Sequence, residues 1–303
     1  MRSESERATL AAFVTGSVLA GGNGVAIRFS NRELDPLWGA TLRFVLAALP
    51  LLVVVGVLRL ALPRGRALAG AVAFGLLQFA ATFALMYYAL VELQAGFAQI
   101  ILALVPLLAL ALAVAEREER FRPQSLFGGV LALVGVAVLS GGALPSPLPH
   151  LALLAALGTA LCFAQAAVLV RILPAAHPVT MNAVGMSAGA VALFVLSLLA
   201  GEELALPSEA ATWGAVAYVA FVGSIAVFLL YLFVLGRWEA SRASYSFVVI
   251  PIVTVALSAW LDDEPVGIGL VVGGALVLCG VYVGALRVSA RAGSAPVGRK
   301  ARW

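Results

Sequence analysis

The chain reads as an all-α membrane protein of ten transmembrane helices arranged as two inverted five-helix repeats, and three observations predict this class. Of its 303 residues, 63% are hydrophobic and 11% charged, which is more apolar surface than one soluble core can hide. The apolar residues fall into ten stretches of bilayer-crossing length, roughly 20 residues each. The second five stretches repeat the first. Inside a bilayer every backbone amide and carbonyl needs an internal partner, and runs of this length supply that only as helices. A membrane barrel would show shorter, alternating strands.

In chain order, the first span is expected over 10–28. Its short basic start and apolar run imitate a signal peptide, but the sixth span is its counterpart, so cleavage would leave two unequal halves. The second span, 37–59, follows Pro36 and carries Arg43. The third, 67–90, follows the basic loop of Arg59, Arg64 and Arg66. The fourth, 94–115, is centred on Pro106, and the fifth, 124–141, opens with Gly128 and Gly129. The second set runs over 150–171, 178–200, 211–236, 240–261 and 265–287. Connections are mostly below ten residues, which forces consecutive helices into antiparallel contact and leaves no room for a soluble domain. The expected organisation is a first repeat over 1–143, a second over 144–290 and a basic cytoplasmic tail over 291–303.

The repeat is visible directly. At an offset of 145, Pro106 meets Pro251, Glu119 meets Glu264, and the Gly128-Gly129 run meets the Gly273-Gly274 run without a gap. At an offset of 142, Gly16 meets Gly158, Asn23 meets Gln165 and Pro36 meets Pro178. The three-residue change fits a longer loop around Gly201 to Ala210. An odd number of spans per half gives the halves opposite orientations, as in carriers whose substrate site lies at the repeat interface. Sixteen of the 19 basic residues fall on one side of this topology, so both termini are expected in the cytoplasm. The tail basics, Arg291, Arg299, Lys300 and Arg302, read as a topology signal or a headgroup contact. Basic residues scattered among loops give no support for nucleic-acid binding.

Ten spans in two five-helix repeats, the Gly21-Gly22-Asn23-Gly24 run in the first helix, and Pro36 followed by Arg43 resemble the drug/metabolite transporter superfamily in its EamA-type branch. The proline-centred fourth and ninth helices, and the acid before each Gly-Gly helix, fit the same pattern. The resemblance covers nearly the whole chain. It implies a secondary carrier in the bacterial inner membrane, and it leaves open amino acids, nucleotide sugars, phosphorylated sugars and other metabolites. The smaller multidrug exporters of that superfamily use a membrane glutamate in the first helix, where this chain offers Asn23; proton-coupled export of lipophilic cations is therefore disfavoured.

Candidate substrate contacts are the polar and aromatic side chains placed in apolar helices. Asn23, Gln78, Gln99, Gln165 and Asn182 must face the bundle interior or a wet cavity, because a lipid-facing amide is costly. Each either joins helices or contacts substrate. Arg43 is the one charge clearly within a span: it either forks onto a substrate carboxylate or pairs with helix carbonyls or Asp35. Trp38 and Tyr88 are cavity walls or interface anchors, and Tyr231, Ser244 and Tyr245 form a polar cluster on the eighth and ninth helices. Pro106 and Pro251 free the carbonyls of Leu102 and Phe247 and bend their helices, as gates or as static kinks.

Enzyme signals are sparse. Gly185-Met186-Ser187-Ala188-Gly189 matches a nucleophile elbow only formally, since it lies in an apolar helix and reads better as helix packing. Cys162 and Cys279 lie in separate spans without metal or redox spacing. No cofactor and no metal is expected, and the partners are a small-molecule substrate and the lipid bilayer, with no nucleic acid and no obligate protein partner. All 15 acids fall in tails, loops or helix ends, away from a proton relay. The expected function is export of amino acids or similar zwitterionic or neutral solutes by alternating access. Rival readings are a carrier of nucleotide sugars or multidrug compounds, or a non-transporting membrane scaffold or enzyme.

Overall fold

The computed structural model describes residues 4–93, 98, 101–139, 149–174, 176–261 and 268–286. Ten helical segments carry the fold: α1 Glu4–Ser30, α2 Pro36–Val57, α3 Arg66–Glu92, α4 Val105–Ala115, α5 Pro123–Leu139, α6 His150–Ile172, α7 Pro178–Ala200, α8 Ala210–Leu235, α9 Ser246–Leu261 and α10 Ile268–Val281. Six of these, α1, α2, α3, α6, α7 and α8, are long and apolar enough to cross a membrane by themselves. The others are shorter apolar helices, and α9 is preceded by a single turn at Ala240–Ala243.

Local chemistry sets several boundaries. α2 and α7, equivalent in the repeat, both open on a proline in the first turn, where the missing N–H costs nothing. His177 caps α7 by accepting from the Val179 amide at 3.3 Å, and Gly201 ends it in the left-handed region at φ 72°. Pro106 does not kink a continuous helix. Ala103 and Leu104 form a turn, and Pro106 sits in the first turn of α4 that follows. Pro251 lies inside α9, which begins only at Ser246, after a turn at Ser244 and Tyr245.

The packing obeys the repeat. Equivalent helices pair with each other, α2 with α7 and α5 with α10, while α1 on α8 mirrors α6 on α3, and α1 on α9 mirrors α6 on α4. This is the signature of a two-fold relation, in which residue i meets j and its counterpart meets the counterpart of i. The α5–α10 seam shows it atom by atom. A methyl group at Gly135 would lie 2.8 Å from the Gly273 carbonyl, and one at Gly280 would lie 2.6 Å from the Gly128 carbonyl. Higher numbers on α5 meet lower numbers on α10, so the equivalent helices run antiparallel. A two-fold axis along the helices would make them parallel; the axis therefore crosses them, and the halves are inverted. Gly128 and Gly135 of α5 and Gly273 and Gly280 of α10 are where the two backbones touch, as small residues allow in membranes.

Two helices carry wide turns at repeat-equivalent places, Leu76–Ala81 in α3 and Tyr218–Ala226 in α8, where the backbone bonds skip to the fifth residue. Such π-turns leave carbonyls free for other partners and recur at functional sites.

Candidate functional site

α1 is interrupted at Gly22, between the segments Glu4–Gly21 and Asn23–Ser30. A break in a membrane helix leaves carbonyls that need donors, and other helices supply them. The Tyr218 hydroxyl of α8 donates to the Leu19 carbonyl at 2.7 Å, and the Thr254 hydroxyl of α9 donates to the Gly21 carbonyl at 2.8 Å. Glycine at position 22 makes room for the Tyr218 bond, because a methyl group there would lie 2.5 Å from the Tyr218 hydroxyl oxygen and would push it aside.

The π-turn of α8 lies against this break. Its Gly223 carbonyl accepts from Arg43 Nη2 at 3.0 Å and from Asn23 Nδ2 at 3.4 Å, while Ser224 Oγ accepts from Arg43 Nε at 2.8 Å and donates to the Val219 carbonyl at 2.7 Å. The result is a polar knot joining α1, α2 and α8. Arg43 is fully buried, with its guanidinium carbon 4.3 Å from the centre of the Phe83 ring.

Beside the knot lies a cavity. Its wall comes from α1, α3, α6, α8 and α9 and from Leu102 just before α4. These are three repeat-equivalent pairs, so the cavity stands at the interface of the halves, where inverted-repeat carriers hold substrate. The wall is mostly apolar and strongly aromatic. Phe83 and Phe163 rings are 5.9 Å apart, Phe163 and Phe247 are 4.5 Å apart, and Tyr231 and Phe247 are 6.2 Å apart, in tilted or edge-on contacts. Polar groups are few: Ser17, Asn23, Tyr231 and Ser246. Asn23 Oδ1 is buried without a partner among the described residues. Among the described residues none that lines the cavity is ionisable as an acid or base other than the Tyr231 phenol.

Polar bridges between the halves close both ends of the bundle. At one end Arg122 binds Glu239 through two bonds of 3.0 Å and Arg242 binds Glu6 at 3.1 Å, while within the second half Arg171 donates to the Leu235 carbonyl at 3.1 Å. The Glu119 carboxylate accepts there from the amide and hydroxyl of Ser241. Burial pushes the Glu119 carboxyl above its usual range, the Ser241 hydroxyl opposes this, and the charge of Glu239 adds to the rise. At the other end Glu202 accepts from the Leu37 and Trp38 amides at 3.0 and 2.8 Å, capping α2 across the halves. Glu33 accepts from Thr212 and Ser208, and these bonds hold its carboxyl below the usual range.

Of the residues singled out from sequence, Asn23 and Tyr231 line the cavity. Arg43 stands one side chain behind it, and Ser244, fully buried, lies beside Tyr231 and donates to the Ala240 carbonyl at 2.7 Å. Tyr245 donates to the Ser125 carbonyl at 2.7 Å, tying the start of α9 to α5. Gln165 bonds Glu116 at 2.7 Å. Trp38 donates its indole N–H to the Ala205 carbonyl in the loop before α8, and Tyr88 is 42% exposed. Gln78 and Asn182 are fully buried, with no partner for either amide among the described residues. Pro106 and Pro251 are buried and do not line the cavity. Gln99 lies outside the described residues. Ser187 donates to the Ala183 carbonyl inside α7, and Gly185 and Gly189 pack on Gly75 and Phe79. The aromatic wall and the Gly223 carbonyl were not singled out from sequence. A phenylalanine in an apolar helix looks the same on a lipid face, and a π-turn leaves no residue pattern.

Comparison with known proteins gives a family match over both halves: the model of the EamA-like transporter family matches residues 7–141 and again 150–285. A "probable amino-acid metabolite efflux pump" of Escherichia coli strain K12 is 28% identical over 278 residues, covering 88% of this chain and 91% of that one. An uncharacterised inner membrane transporter of the same strain, YedA, is 29% identical over 251 residues, covering 82% and 80%. An uncharacterised transporter of Archaeoglobus fulgidus is 25% identical over 263 residues, covering 85% and 91%. A solved crystal structure superposes with a TM-score of 0.75 at 21% identity, over 92% of this chain and 98% of that one, which shows a shared fold.

Proposed function

The chain belongs to the EamA-like transporter family, and from that premise we propose that it exports small zwitterionic or neutral metabolites, amino acids foremost, by alternating access. The membrane is a bacterial inner membrane and both termini face the cytoplasm. One observation carries the reading: the cavity is built from three repeat-equivalent helix pairs, so a rocking of one inverted half against the other opens it to either side in turn. Its aromatic wall suits an apolar side chain, and its few hydroxyl and amide groups suit a polar head. The relatives named as an amino-acid efflux pump and as an inner membrane transporter support the substrate class and the membrane. The sixteen basic residues on one side support the orientation.

The test is counterflow in proteoliposomes loaded with one unlabelled amino acid at a time and supplied outside with the labelled form. Uptake above protein-free vesicles is expected for amino acids with apolar side chains. Gly16 faces the cavity with ordinary contact room towards Leu230, so Gly16→Leu fills space there and is expected to abolish the uptake while the protein still folds. Absence of counterflow across the whole amino-acid panel, or full activity in Gly16→Leu, overturns the reading.

A further inference from the structure

We propose that Arg43 is the charge that selects carboxylate-bearing ligands in this cavity, so that the substrate is a small monoanionic or zwitterionic carboxylate with an apolar body. The inference rests on the cavity reading above and deepens it. Arg43 is fully buried, and among the described residues no carboxylate touches it: its bonds go to the Gly223 carbonyl and the Ser224 hydroxyl. Among the described residues Nη1 has no hydrogen-bond partner, and Tyr87 lies near the guanidinium. A buried cation without a counterion is costly in a membrane protein, and such a residue marks a substrate path by default.

The fold itself does not require the charge. In the other half the position of Arg43 is held by Gly185 and that of Ser224 by Phe79, and Gly185 packs on Phe79, 3.1 Å from a would-be methyl group to the ring. The same crossing of helices is therefore built without a cation. What distinguishes the Arg43 side is its neighbourhood. Both groups that separate it from the cavity, the Phe83 ring against its guanidinium and the Asn23 amide sharing its Gly223 carbonyl, line the cavity wall. A charge one side chain behind a mostly apolar wall acts on the cavity with less screening than in bulk water. One positive charge behind the wall, and no ionised group among the described lining residues, match one carboxylate. A diphosphate would need several cations, and an amine would be repelled.

The full-length purified protein is titrated with 3-phenylpropionate, its neutral isostere 3-phenylpropanamide, and phenethylamine. In the wild type the carboxylate is expected to bind at least about tenfold tighter than the amide, with the amine weakest. Arg43→Lys, which keeps the charge, retains the preference, and Arg43→Met reduces it to within about twofold. A merely structural role would lower the melting temperature of both variants and leave the carboxylate-to-amide ratio unchanged. An unchanged ratio in Arg43→Met, or an amine as tight as the carboxylate in the wild type, overturns the proposal. The wild-type comparison stands even if Arg43→Met fails to fold. Carboxylate binding that Gly16→Leu removes and Arg43→Met spares at an unchanged ratio would leave the cavity reading in place and remove the charge from it. Binding of none of the three probes would remove both.

Discussion

At the residue scale, glycine at 223 is the condition for the polar knot. A methyl group there would lie 1.8 Å from Asn23 Oδ1, so Gly223 lets the amide of α1 and the guanidinium of α2 reach one carbonyl. Gly223→Ala is expected to destabilise the protein by about 1–3 kcal/mol, the cost of overpacking a well-filled core. Asn23→Ala in the same chain opens that space, and the double variant should recover much of the loss. A thermal-melt double-mutant cycle measures the coupling; additive losses would mean that the two residues do not meet. The sequence marks Asn23 and Arg43 as polar residues in apolar helices. It does not mark Gly223, because glycine in a membrane helix is common and the demand for it comes from a side chain 200 positions away.

At the element scale, the repeat explains which helices touch. The α5–α10 seam brings backbones together at Gly128, Gly135, Gly273 and Gly280, while a methyl group at Gly274 would meet nothing within 4 Å. Gly135→Ala and Gly280→Ala are therefore expected to lower the melting temperature by similar amounts, each equivalent to roughly 1–3 kcal/mol, and Gly274→Ala to leave it unchanged. Unequal losses at 135 and 280 would break the two-fold relation, and a loss at 274 would misplace the seam. The Gly-Gly runs were legible as a repeat because they recur without a gap at one offset. The interruption of α1 at Gly22 and the π-turns of α3 and α8 were not, because both depend on donors from other helices that rescue or redirect the backbone bonds.

At the scale of the whole molecule, the basic-residue bias makes an orientation testable. In a chain whose Cys162 and Cys279 are replaced by alanine, cysteines placed singly in 141–148 are expected to react with an impermeant thiol reagent added outside intact cells, and those in 59–66 to stay unlabelled. The opposite pattern reverses the topology and the direction assigned to export. The polar bridges at the two ends differ in kind. One end is held by ion pairs such as Arg122 with Glu239, partly exposed and individually weak; the other is held by Glu33 and Glu202 capping helix starts across the halves. Ends joined by several modest contacts can part and re-form, as alternating access requires.

By itself the sequence determined the ten-helix class, the two repeats and the placement of most span ends, because hydrophobic length and recurrence are local properties that the bilayer reads directly. The described helices α2, α3, α6, α7 and α8 begin and end within two residues of the expected spans. The same reasoning found Asn23 and Tyr231, polar groups with no place on a lipid face. Only the tertiary structure decided which aromatic rings line a cavity, that Arg43 stands behind its wall and not in it, and that Trp38 and Tyr88 serve elsewhere. An apolar helix face looks alike whether it meets lipid, another helix or an empty cavity, so its role is fixed by the neighbour that the fold brings to it.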